Sequence, residues 1–288
     1  MKHWMGPLVL LAVSAQAGLA GAAAAGTTAA AITATATAAD ATAATAADAT
    51  AAAATAADAT AAAATAATAA AGWIDISAPI SARTTPVYPG NAPVKLDFTQ
   101  SFEKGGTLTL SAFSFGAHTG THVDAPLHFI KGGATLDQVP LERFIGPVRV
   151  IDCSATALAI DAAELNKHAW RGAKRIFFRT RNSRNGWMTD AVFHEDFTYL
   201  APDAAQLLAD AGVELVGIDY NSIEKFGAPE PQTHLILLRK NIPVVEGLLL
   251  RDVQPGDYDL ILLPLRIMGH EAAPARAILR RIAGTHAP

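Results

Sequence analysis

The sequence predicts one α/β domain, and three observations lead there. Composition breaks sharply near Gly72: almost every residue from Gly21 to Ala71 is Ala or Thr, while residues 73–288 carry most of the aromatic, proline and charged side chains. Beyond Trp73, short apolar runs alternate with amphipathic ones, so strand and helix take turns. The helical segments also carry start and stop residues: PDAAQLLADAG (202–212) opens on proline and closes on Gly212, a good first helical residue and a good residue just past a C-terminus.

Taken in chain order, residues 1–21 resemble a secretory signal. Lys2 and His3 precede a short apolar run, and Ala15-Gln16-Ala17 offers a small-x-small cleavage site. The run is too short for a comfortable membrane span, so no integral membrane domain is expected. A genuine signal sends the protein to the periplasm or outside the cell; otherwise it is cytoplasmic. Residues 22–72 repeat units such as TAADATAA, which contain no large apolar side chain to dock on a core. They read as a disordered low-complexity tether.

Residues 73–288 form the expected domain, long enough for a sizeable core. TLTLSAFSF (107–115) partly alternates, like a strand with one wetter face. VRVID (148–152), RIFFRT (175–180), VELVGID (213–219), IPVVEG (242–247) and YDLILLPL (258–265) are the continuous apolar runs of interior strands, and DAAELNKHAW (161–170) reads as a helix. In open α/β sheets functional groups gather just beyond strand ends, where His118, Asp219 and Glu246 fall.

Charge and cysteine content narrow the chemistry. With 22 basic against 26 acidic residues and no basic cluster, nucleic acid is excluded as an expected partner. Cys153 is the only cysteine, so no intrachain disulfide and no cysteine-rich zinc site can form.

The segment HTGTHVDAPLHF (118–129) holds the chemistry. His118, His122 and Asp124 give H-x-x-x-H-x-D, and two nitrogens with a carboxylate suit a catalytic metal with open positions. Glycine, threonines and Pro126 make a long helix improbable, so a turn with its own geometry is expected to bring the imidazoles together. Pro126 stiffens the chain before His128. His128 suits proton transfer near neutral pH, although its position also permits a fourth ligand.

These residues, with TPVYPGNAP (85–93), VGIDYNSIE (216–224) and THLILLRKNIPVVEGLLL (233–250), resemble the metal-dependent cyclase/hydrolase family, which includes bacterial kynurenine formamidase and isatin hydrolase. The resemblance runs from Trp73 to about Leu279 and leaves out the Ala/Thr segment. It implies a compact domain with a mixed β-sheet flanked by helices, of the swivelling β/β/α kind, assembled as a homodimer or larger homo-oligomer. It implies metal ligation by His118, His122, Asp124, His234 and Glu246, with Asp124 bridging where two ions are bound, and proton transfer by His128. Tyr88 stands where a substrate-binding tryptophan is expected in kynurenine formamidase, keeping a flat ring but adding a hydroxyl. Thr121 and Glu224 also depart from the formamidase pattern.

The implied activity is hydrolysis of a small aromatic amide by metal-activated water, arylformamidase-like, with one or two divalent ions per subunit, zinc first and manganese second. Trp187 and Phe193 either stack on the substrate ring or pack within their loop. Three alternatives stay open: cyclic amide hydrolysis like that of isatin hydrolase, a cyclase acting on a lactone-like substrate, and a non-catalytic exported binding protein. Export argues against a housekeeping part in tryptophan catabolism.

Overall fold

In a computed structural model, residues 72–156 and 158–282 are described. The signal-like segment, and the Ala/Thr segment as far as residue 71, lie outside them. Among the described residues twelve strands and four α-helices follow in order. The strands are β1 (Trp73–Asp75), β2 (Lys95–Gln100), β3 (Leu110–Ser114), β4 (His122–Asp124), β5 (Ile145–Cys153), β6 (Ala159–Ile160), β7 (Arg175–Thr180), β8 (Tyr199–Leu200), β9 (Leu215–Ile218), β10 (Val244–Glu246), β11 (Gly256–Pro264) and β12 (Ala272–Arg281). The helices are α1 (Ala162–Leu165), α2 (Arg181–Asn185), α3 (Pro202–Asp210) and α4 (Gln232–Arg239).

The main sheet runs β1-β12-β11-β5-β7-β9-β10-β4, and β4 returns to pair with β12. The sheet therefore closes into a barrel, parallel from β5 through β10 and antiparallel elsewhere. The α/β expectation with a mixed sheet holds. Closure, with helices packed outside it, also explains the apolar runs of β7, β9 and β10, which are buried on both faces.

Alternation along each strand divides the core in two. Val150, Phe177, Val245, Val123 and Ala273 point inward and fill the barrel. Ile151, Ile176, Phe178, Val216, Ile218 and Val244 point outward. There they meet Leu165 of α1, Ala204, Ala205 and Leu208 of α3, and Leu237 and Leu238 of α4. Gly217, cross-strand from Phe177, must lack a side chain: a Cβ there would lie 2.5 Å from the Phe177 ring.

Two expectations require correction. The helix foreseen over 161–170 is only the four residues of α1, because Leu165 and Trp170 are both buried at a spacing of five, which no single helical face accommodates. The strand foreseen over 107–115 begins at Leu110 and is exposed on both faces. Among the described residues it pairs only with β2, also exposed throughout, to form a separate two-stranded ribbon.

Candidate metal centre

The register of β4 against β10 builds the site. Val244 lies opposite Asp124, Val245 opposite Val123 and Glu246 opposite His122. Since residues two apart share a face, the inward turn of Val123 and Val245 sends His122, Asp124 and Glu246 to the outer face. The motif is thus a turn through 118–121 followed by a strand, where a turn with its own geometry was expected. Helix α4 covers that face and lowers His234 onto it, buried beside Leu237 and Leu238.

The side chains converge. His122 Nε2 lies 3.4 Å from Glu246 Oε2 and 3.6 Å from Asp124 Oδ1. His234 Nε2 lies 3.1 Å from Glu246 Oε1 and 3.7 Å from Asp124 Oδ2. His118 places Nδ1 2.9 Å from Asp124 Oδ1, and its Nε2 is 3.4 Å from Glu271 Oε1. All five residues expected from the sequence are therefore brought together, and His128 stacks its ring 4.2 Å from that of His118.

This donor set fits a cation. His122 Nδ1 lies 3.0 Å from the Gly120 carbonyl, which can only accept, so Nδ1 carries the proton and Nε2 turns a lone pair inward. Both Asp124 oxygens and His122 Nε2 are buried with no hydrogen bond of proper geometry. Buried acceptors facing one another are costly without a positive charge between them. The protonation equilibria tell the same story. Burial opposes ionisation of Asp124, yet His118 and His122 outweigh it and hold the carboxyl well below its usual range. Burial likewise opposes a charge on His118, but Asp124 outweighs it and raises the pKa to about 9. His128 differs: burial dominates and lowers it to about 4, leaving the imidazole neutral at pH 7.

Thr121 ties the halves of the site together. Its buried hydroxyl accepts from Ala78 N at 2.7 Å and donates to the Gly247 carbonyl at 2.6 Å. Gly247 sits at φ 72°, and a Cβ there would lie 2.2 Å from the Gly120 carbonyl, so glycine is required beside Glu246. Glu224 supports His234, its Oε2 accepting from the backbone N at 3.1 Å and standing 3.4 Å from Nδ1, the usual buttress of a metal-binding histidine.

A cavity of about 370 Å³ opens over the cluster, lined among others by Tyr88, His128, Phe129, Asn221 and Glu224. Asn221 donates to the Pro86 carbonyl at 2.9 Å and leaves its buried Oδ1 without a protein partner. Tyr88 stands at the wall as expected, with Phe193 behind it, ring centroids 5.1 Å apart. Trp187 and Phe193 do not line the cavity. They pack with Phe197 and Tyr220, which is the loop packing named as one of their two readings. Asp219 is structural too, buried and accepting from Thr180 N and Oγ1 and from Ser183 N.

The family described as "Putative cyclase" matches residues 74–225. The chain belongs to this family. It is similar to kynurenine formamidase of Salinibacter ruber, 39% identical over 208 residues, which span 72% of this chain and 96% of that one. Among solved structures, a predicted metal-dependent hydrolase from Bacillus stearothermophilus is 35% identical, with a TM-score of 0.62 over 72% of this chain and 97% of the other. Isatin hydrolase A from Ralstonia solanacearum is 25% identical, with a TM-score of 0.61 over 74% and 94%.

Proposed function

We propose that this protein is a metal-dependent hydrolase of carbon–nitrogen bonds other than peptide bonds, acting on the carbonyl of a small aromatic formamide. The observation that carries this is the convergence of His118, His122, Asp124, His234 and Glu246, with separations down to 2.9 Å, beneath an aromatic-walled cavity. The likeness to kynurenine formamidases supports the substrate class. These five residues would hold one or two divalent ions. Zinc is the first choice and manganese the second, because the set contains only nitrogen and oxygen. A bound ion supplies Lewis acidity toward the carbonyl and makes water a better nucleophile near neutral pH.

The chain's own residues do the rest. His128 is neutral at pH 7, so it first accepts a proton from the attacking water and then passes it to the departing nitrogen. Tyr88 and Phe129 confine the aromatic ring, and Asn221 Oδ1 accepts the amide N–H. Trials with N-formylkynurenine, isatin and a simple lactone on metal-loaded protein test this reading. The formamide is expected to turn over fastest; hydrolysis of none of them supports a binding protein instead.

The β2–β3 ribbon supports a homodimer. Phe98, Leu110 and Phe113 on its strands, and Phe102 in the connection between them, are more than half exposed, and an isolated two-stranded ribbon is at best marginally stable in water. A second copy covers this ribbon. Export rests on the N-terminal sequence pattern, and sequencing of the mature N-terminus tests it.

A further inference from the structure

A second cluster of ligand-type side chains shares no residue with the site described above. Cys153 ends β5 and is 1% exposed. Glu164 and His168 face it from α1 and the turn that follows, four residues apart and so on one side of the helical turn. Asp161 caps α1 through Glu164 N at 2.7 Å, while Leu165 and Trp170 anchor the segment in the core. The cluster is therefore held in place by packing that has nothing to do with the chemistry of its three side chains.

We propose that Cys153, Glu164 and His168 form a second metal site, distinct from the centre on β4 and α4, which binds one borderline-soft divalent ion such as zinc. His168 Nε2 stands 3.7 Å from Cys153 Sγ and 3.4 Å from Glu164 Oε1. An N–H···O hydrogen bond closes to about 2.9 Å, so 3.4 Å is long for one. With bonds of about 2.0–2.3 Å to nitrogen, oxygen and sulfur, tetrahedral geometry sets ligand separations of about 3.3–3.7 Å. The main centre shows the same spacing, 3.4 Å and 3.6 Å around His122. One ligand atom from each of the three residues lies within 4.8 Å of the others.

The remaining contacts agree. Glu164 gives its other oxygen, Oε2, to Lys167 Nζ at 2.6 Å, which leaves Oε1 toward His168. Sulfur in the set favours zinc over magnesium, calcium or manganese. Binding converts the Cys153 thiol to thiolate and releases its proton to solvent. His168 borders a cleft lined also by Arg149, Asp152, Lys167 and Asp257, through which an ion would reach the cluster.

Cys153 is the only cysteine, so a thiolate signature identifies this site without ambiguity. Full-length protein is stripped with chelator and titrated with cobalt(II). Wild type and His122→Ala are expected to develop an intense near-ultraviolet thiolate-to-cobalt absorption that Cys153→Ser lacks, with Cys153→Ser binding one ion fewer per chain than wild type. Partly exposed His168→Ala is expected to lose the band as well, with an unchanged far-ultraviolet circular dichroism spectrum. Absence of the band in cobalt-saturated wild type overturns the proposal. So does a band that survives in His168→Ala, because the thiolate then binds cobalt without its imidazole.

Discussion

Thr121→Val tests how the metal centre is held together. Valine keeps the shape of threonine, so packing against Ala78 and Gly247 changes little. It removes the acceptor of Ala78 N at 2.7 Å and the donor to the Gly247 carbonyl at 2.6 Å. Both backbone groups are then left inside the protein, since Thr121 is only 2% exposed. Each buried unsatisfied group costs about 2 kcal/mol, hence about 4 kcal/mol together. For a domain of this size that corresponds to a fall in Tm of roughly 8–16 °C. The same change frees the 118–121 turn from the chain beside Glu246, so the metal is bound more weakly. Thr121→Ser keeps the hydroxyl and is expected to retain most of the stability. Differential scanning calorimetry with metal analysis reads both effects. A Thr121→Val protein within about 0.5 kcal/mol of wild type, the range of an ordinary surface change, refutes the reasoning.

Three other outcomes follow from the geometry. His128→Ala is expected to keep its metal and lose about 10²–10⁴-fold in kcat, the usual worth of a proton-transfer group; loss of metal instead places His128 among the ligands with Asp124 and His234, whose ligand atoms lie within 4.8 Å of its own. His118, with a pKa of about 9, is protonated at pH 7 in the ion-free protein, and ligation needs the neutral ring. Metal uptake at pH 7 therefore releases at least one proton, and affinity tightens as pH rises toward 9; calorimetry in two buffers of different ionisation enthalpy counts the protons, and a count of zero contradicts the assignment. Phe98→Ser combined with Phe113→Ser is expected to convert a dimer to a monomer in light scattering, and a monomeric wild type removes the basis for the ribbon's role.

The parts of the fold written in local pattern were legible. β7, β9 and β10 appear as apolar runs because the barrel interior and the helices outside it bury both of their faces, β5 and β11 keep a partly exposed outer face, and α3 lies between its proline and Gly212. Where several partners compete for one segment, the pattern misled. DAAELNKHAW has helical composition, but burying both Leu165 and Trp170 ends α1 early. TLTLSAFSF alternates as if one face were covered, yet among the described residues nothing covers either face. At the site, the spacing of His118, His122 and Asp124 was informative, while His234 and Glu246 were reachable only through the family resemblance. Thr121 and Glu224 stand out in the sequence only as departures from the family pattern, and Phe129 and Asn221 lie inside the quoted motifs with nothing to single them out. Their parts depend on register and on the descent of α4, which no local window contains.

The central claim is that His122 belongs to a metal centre that drives amide hydrolysis. Metal per chain, measured alongside hydrolysis of an aromatic formamide, in wild type and His122→Ala, tests it most directly. To keep the Cys153 site from obscuring the count, both proteins carry Cys153→Ser. The account predicts one or two ions and turnover in the parent, and loss of both in the His122→Ala protein. Metal and activity undiminished by His122→Ala would contradict it.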